Sequence, residues 1–459
     1  MKIGFGEGII TPPGRVSLRG QYHIRVSETP REDIRAIAMA VTDGDTTIFW
    51  VACDLCAIDD PLPADVYSLT KDILPVREDG IILSATHIHT GPYLVDTISG
   101  LNGNRMIPDG TTSADDCRRA VAEGIVTAMK AAYDARRDCT LSATCARTRT
   151  GVNRRIRYTD NSAVMYGSTA RKDFVGSEGR DGGPTQLLYV RDTKGELYGV
   201  IADVPCTAQV VEGKNYITPD YPGAAREILA RELPNVTLMT LIGAAGDLSP
   251  HILIERVPGD PNDRDEDGRE AFGRLLAEMV LEHRDDAYDV CEKPEMRYVC
   301  ENVTLPVWAS TDAEYEEAKT WLAELRKQYG DDLNYEKMIA QGFRDTLRFS
   351  KALAEIKRHN PDPDVFDVRV HALRLGNVAF ITNPFELYVE YADRMKAALR
   401  GVQVFDVELT GHCPGYLATV RGTRGGGYSA TIFSGRTSPA GGEILTKASI
   451  QALKRIFDR

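Results

Sequence analysis

The sequence predicts an α/β fold in which mixed β-sheets are flanked by helices in a large sandwich. Three observations carry this expectation: apolar runs of strand length, longer stretches of helical spacing between them, and a chain of 459 residues, enough for a large core. The early strands are "AIAMAVTDG" and "TTIFWVACD", joined by a hairpin turn at "TDGDTT", and then "GIILSA". A helix starts after Ser113, a favourable N-cap, with acids in the first turn and apolar residues at helical spacing through "SADDCRRAVAEGIVTAMKAAYDARRD". "QLLYVRDTKGELYGVIADVP" reads as two strands about a turn, "YPGAAREILARELP" as a helix, and "NVTLMTLIGAAGDLSP" as a buried strand ending in a small-residue loop. Residues 311–359 are charged and poor in strand formers, which predicts an inserted helical hairpin. "DVRVHALRLGNVAFITNP" returns to a hairpin and "FELYVEYADRMKAALR" to a helix that starts near Glu386. A glycine-rich loop, "HCPGYLATVRGTRGGGYSA", precedes a C-terminal helix. Without internal repeats or low-complexity linkers, residues 1–459 are expected to form one interwoven domain.

Composition narrows the function. The formal net charge of -12, with no cluster of Lys and Arg, excludes a protein built to grip nucleic acid. No run of about eighteen apolar residues occurs, so no membrane span is expected. "MKIGFGEGIITPP" has no leader-like apolar stretch, and the nine cysteines are odd in number and scattered. Both features point to reduced thiols and a cytoplasmic location. Cys53 and Cys56 form a single CxxC inside an apolar run and read as two buried thiols. "IGFGEG" has GxGxG spacing with no helix after it, and reads as a turn or bulge. "DRDEDG" has Arg274 where a calcium loop needs a glutamate, and reads as an acidic run leading into a helix.

The chemistry begins at "THIHTGP", where His87 and His89 close a buried strand. Side chains at i and i+2 of an extended segment share a face, so the two imidazoles are expected to project together, as half of a metal site. Four other stretches place reactive side chains at strand ends or in loops. They are "GAAGDLSPH" with Asp247, Ser249 and His251, "NPFELY" with Glu386, the loop carrying Tyr416 and Tyr428, and "GVNRR" with Asn153 and Arg154. The remaining histidines, His23, His283, His359, His371 and His412, read as surface or packed residues.

In this order the stretches resemble the neutral/alkaline non-lysosomal ceramidases. "THIHTGP" is similar to a THTHSGP segment of that family, "GDLSPH" to GDVSPN, and "NPFELY" to its PGE segment. The Tyr416 and Tyr428 pair, "VNRR", "TPDYPG" and the opening "IGFGEGIITPP" match as well, so the resemblance runs along most of the chain. It implies an amide hydrolase with one zinc ion, to which His87, Glu386 and Tyr416 would be ligands, with His89, Arg154 and Tyr428 beside metal and substrate.

One family feature is missing. The second zinc histidine of the family falls at Pro205, in "ADVPCTAQ", and proline offers no ligand atom. His251, in place of the hexapeptide's asparagine, is the expected replacement; Cys206, Asp203 or loss of the metal are the alternatives. Metal loss would leave Ser249, Asp247 and His89 as a metal-free hydrolytic group. The expected activity is hydrolysis of an amide or related C–N bond in a small polar substrate. The same site on a lyase or isomerase of a sugar-derived substrate, or on a non-catalytic binding protein, are the competing readings.

Overall fold

The computed structural model describes residues 1–97, 107–254, 264–291 and 294–458. Its largest sheet runs in the order Thr237–Ile242, Leu197–Val204, Thr185–Asp192, Arg137–Ala146, Lys2–Ile9, Arg35–Asp43, Thr46–Cys53 and Ile81–Ala85. The outermost pair at each edge is parallel and the pairs between them are antiparallel. A second sheet contains Met296–Pro306, Val365–Leu375, Val378–Thr382 and Gln403–Val407, the last two strands parallel.

The two sheets pack face to face, with helices outside each. Along Arg35–Asp43 and Thr46–Cys53, Ala36, Ala38, Ala40, Phe49 and Val51 join the core beneath helices such as Ala114–Asp134 and Asp220–Glu232. The alternate residues Ile37, Met39, Val41 and Trp50 meet Phe380 and Phe405 of the second sheet, with Trp50 edge-on to Phe380 at 5.4 Å. Burial of both faces explains why these strands read as continuous apolar runs. Beyond the second sheet, Ile381 and Val404 pack against the helices Val389–Lys396 and Pro439–Arg455.

The expected Ser113 cap forms, its Oγ accepting from Asp116 N at 3.1 Å. Asp265 caps the helix Glu266–Glu282 through Gly268 N, as suits an acidic run leading into a helix. "IGFGEG" is neither turn nor bulge but part of the regular strand Lys2–Ile9. Gly4, Gly6 and Gly8 occupy alternate positions facing the helix Ala114–Asp134; a Cβ on Gly8 would lie 2.0 Å from Gly124 O. The glycines are there to let a helix lie close on the sheet.

Between the first two strands of the second sheet, the chain forms the helices Asp312–Tyr329, Tyr335–Ile339 and Phe343–Lys357 around a small core of their own. A capping box of Thr311 and Glu314 starts the first of them. No helix among the described residues is long and apolar enough to cross a membrane.

Candidate functional site

The strand Ile81–Ala85 stops just before Thr86, whose N–H donates to Cys53 O at 2.9 Å. His87 then adopts φ +62°, a left-handed conformation that costs a non-glycine residue about 1 kcal/mol or more. The imidazoles of His87 and His89 do lie together, 4.9 Å between ring centres, but a turn brings them there rather than strand alternation. His87 Nδ1 donates to Cys56 O at 2.6 Å, which leaves Nε2 without a proton of its own when the ring is neutral. That Nε2 lies 3.4 Å from His89 Nε2 and 3.5 Å from Glu386 Oε2.

Glu386 is not a first-turn helical acid, as its place after Pro384 led one to expect; the helix begins at Val389. Its backbone is drawn sideways instead. Glu386 and Leu387 pair in parallel with Tyr416 and Leu417, Glu386 N donates to Gly415 O, and Leu387 N donates to Glu408 Oε2. The register sets Tyr416 beside Glu386, and their side chains interact. Gly246 N donates to Leu387 O, and a Cβ on Gly246 would meet Glu386 O at 2.3 Å. The small residues of "GAAGDLSP" therefore make room for the Glu386 backbone.

Arg154 is buried and ties the site together. Its guanidinium donates to Gln209 Oε1 at 3.2 Å, Gly246 O at 3.1 Å and Tyr416 OH at 3.4 Å. The Gln209 amide, 2.7 Å from His89 Nε2, links the arginine to the second histidine, while Glu212 lies 3.6 Å from His89 Nδ1. Behind this layer Ser249 Oγ meets Tyr166 OH at 3.0 Å and accepts from His251 N, and His251 Nε2 lies 3.2 Å from Gln209 O. Asp247 accepts from Asn153 Nδ2 and Val389 N. Tyr428 stands edge-on to both Tyr416 and Tyr22, each at 5.4 Å. The glycine-rich loop that carries it includes the strand Tyr416–Leu417 and the helix Val420–Gly425, and buried Arg155, paired with Glu178, anchors it at Gly422 O and Gly426 O. A cavity of about 550 Å³ lies between this loop and the inserted helices, with Tyr428, Trp321, Arg344, Arg348 and Lys351 on its wall.

Electrostatics separate the two histidines. Burial works against a charge on His87, but Cys56 and Glu386 beside it hold its pKa well above the ordinary value. Burial also opposes ionisation of Glu386, yet His87 and Tyr416 keep that carboxyl below its ordinary value. Burial, with His87 and Arg25 nearby, pushes His89 well down, and burial pushes His251 down to about 4. His87 and Glu386 thus favour opposite charges across the 3.5 Å between them.

The donor set suits a divalent metal. Two nitrogens at about 2.0–2.1 Å from one tetrahedral zinc lie roughly 3.3 Å apart, close to the spacing of the two Nε2 atoms and of His87 and Glu386. Cys56, His87 and His89 each offer a ligand atom within 4.8 Å of the others.

Of the residues singled out from sequence, His87, His89, Glu386, Tyr416, Arg154 and Tyr428 converge. Asp247, Ser249 and His251 form the layer behind. His371 is packed against Tyr298 OH, and His359 and His412 pair with Asp312 and Asp60. Cys56, read from sequence as a plain buried thiol, lies beside His87, and Gln209, Glu212 and Tyr166 join the site without having stood out in the sequence. Gln209 had one usable signal, its place four residues after Pro205 in the segment where the expected histidine is missing.

No protein-family model and no curated protein matches the sequence. Solved structures do. The chain is covered in full by a neutral ceramidase from Pseudomonas aeruginosa with a TM-score of 0.70 and 16% identity, spanning 74% of that chain. A ceramidase complexed with C2 matches over the whole chain with a TM-score of 0.71 and 16% identity, spanning 75% of that one. The fold is that of the neutral ceramidases, and the resemblance read from scattered motifs holds along the whole chain as a remote one.

Proposed function

We propose that this protein is a metal-dependent hydrolase that cleaves an amide or related C–N bond of a small, polar substrate with an activated water. One observation carries the reading: His87 Nε2 and Glu386 Oε2, brought from opposite ends of the sequence, stand 3.5 Å apart in a buried site beside Tyr416 and Arg154. His87, Glu386 and Tyr416 would hold the ion, zinc or another divalent metal. Such an ion supplies a water of lowered pKa and polarises the scissile carbonyl. Arg154, held over the site by Gln209 and Gly246, is placed to donate to an oxygen that gains negative charge. His89, kept neutral and held by Gln209, is placed to act as a base that takes a proton from the attacking water and then returns it to the leaving nitrogen. Tyr428 lines both this site and the adjoining cavity.

The ceramidase likeness favours an amide as the scissile bond, since ceramide is an N-acyl compound. The cavity wall is mixed, with Arg344, Arg348 and Lys351 beside Asp345 and the apolar Trp321, Leu347 and Phe433, so the support for a polar substrate is the three cations alone. The test is metal analysis of the purified protein together with a panel of N-acyl compounds, amide-bearing metabolites and ceramide, followed by product mass. Stoichiometric divalent metal and a product heavier by one water are expected. A metal-free parent protein, or a product of unchanged mass, would defeat the reading.

A further inference from the structure

The site lacks the histidine that Pro205 replaces, and none of the substitutes expected from sequence turns to the His87 position. His251 Nε2 lies on Gln209 O at 3.2 Å, Cys206 Sγ on Thr207 O at 3.6 Å, and Asp203 Oδ2 accepts from Asp406 N at 3.1 Å. Among the described residues, the one group of three or more His, Cys, Asp or Glu side chains with ligand atoms mutually within 4.8 Å is Cys56, His87 and His89. We propose that Cys56 Sγ is a ligand of the divalent ion at His87, so that a thiolate fills the coordination place left open at Pro205. This rests on the metal-dependent reading above.

Three features support it. Cys56 is buried, 6% exposed, in the turn that follows the strand Thr46–Cys53, and its own carbonyl orients His87 by accepting from Nδ1. Backbone and side chain of one residue thus serve the same centre, the carbonyl as an outer partner of the imidazole and the sulfur as a donor. Thiolate and imidazole are both good zinc ligands, with Zn–S near 2.3 Å and Zn–N near 2.0–2.1 Å, so sulfur and nitrogen on one tetrahedral ion lie about 3.5 Å apart. Their ligand atoms lie within 4.8 Å of one another, so the sulfur has up to about 1.3 Å to close to reach that distance. Binding releases the thiol proton to solvent and forms one metal–sulfur bond, with no change of oxidation state.

The experiment loads the metal-stripped full-length protein with Co²⁺, in the parent and in Cys56→Ser, Cys53→Ser, His251→Ala and His87→Ala. The near-ultraviolet absorption characteristic of cobalt–thiolate bonds is recorded, and affinity is measured by titration. The parent, Cys53→Ser and His251→Ala are expected to show the thiolate band. Cys56→Ser is expected to lose it and to bind cobalt on the order of a hundredfold more weakly. X-ray absorption of the zinc-loaded parent needs no variant and is expected to show one sulfur at about 2.3 Å. A shell of nitrogen and oxygen only, or a thiolate band that survives in Cys56→Ser, overturns the cysteine ligand while leaving a metal enzyme intact. Cobalt that fails to bind the parent, or binds equally well to His87→Ala, overturns both.

Discussion

Two buried charge clusters in this protein look alike on paper and differ in the groups they hold. In the first, His87, Glu386, Tyr416 and Arg154 gather at the ends of strands drawn from across the chain. In the second, Asp203 and Asp406 meet where the two sheets face each other, and the Lys396 ammonium pairs with Asp406. The second cluster is closed by its own bonds but for one atom: Asp203 accepts from Asp406 N, and Asp406 from Ala244 N at 2.8 Å, while Asp203 Oδ1 is buried without a partner among the described residues. Burial, reinforced by the neighbouring Asp406, pushes the Asp203 carboxyl well above the ordinary carboxylate range. On the proposed reading the first cluster is the one open to a cation, with His87 Nε2 and Glu386 Oε2 facing each other at 3.5 Å. What separates the two is the donor set: imidazole, carboxylate and phenol in the first, two carboxylates and an ammonium in the second.

The contrast can be broken at either cluster, and the largest effect is expected at the open one. His87→Ala or Glu386→Ala should lower hydrolysis by about a thousandfold or more and strip the metal. Turnover on the substrate found by the panel, with elemental analysis beside it, checks this. At the closed cluster Lys396→Met should do the reverse. Loss of about 3–5 kcal/mol is expected from stranding Asp406, read by urea unfolding, with metal content per folded molecule unchanged.

Arg154→Lys sharpens the comparison on a smaller scale. A lysine keeps the charge but not the fork that reaches Gln209, Gly246 and Tyr416 at once. Turnover should fall roughly ten- to a hundredfold while the metal stays bound, measured as kcat with metal content. The smallest effect is expected for Asp203→Asn. The folded protein keeps the Asp203 proton to higher pH than the unfolded chain does, so this group costs stability as pH rises above about 4. Asparagine has no such proton to lose, so the variant should lose less stability than the parent as pH rises from about 5 to about 8. Unfolding curves across that range check it; a parallel loss in both proteins would mean that Asp203 is ionised when folded.

Much of the fold was legible because its signals are local. The apolar runs at 35–53 and 81–85 are strands, and the Ser113 cap and the Asp265 run sit at the helix starts they predict. The misreadings share a cause. "IGFGEG" looked like a turn because the helix that its glycines admit is more than a hundred residues away. Glu386 looked helical because Pro384 precedes it, but Gly415 and Glu408 capture the N–H groups that a helix start would leave free.

The site was legible as a set of residues but not as an arrangement. His87, His89, Arg154, Glu386, Tyr416 and Tyr428 all stood out by type and motif. Cys56 stood out only as half of a CxxC and read as a buried thiol, and Gln209 did not stand out. A thiol after an apolar strand and an amide in a loop carry no local sign of what faces them.

By itself the sequence determined the layers, the helix ends and the side chains able to do chemistry, since each depends on residue type and on spacing within a few positions. Tertiary structure alone decided that His87 turns to meet Glu386, that Gln209 joins Arg154 to His89, and that Cys56 is the sulfur nearest both histidines. Those contacts join segments far apart in the chain, and their geometry follows from how the sheets pack, which no local pattern encodes.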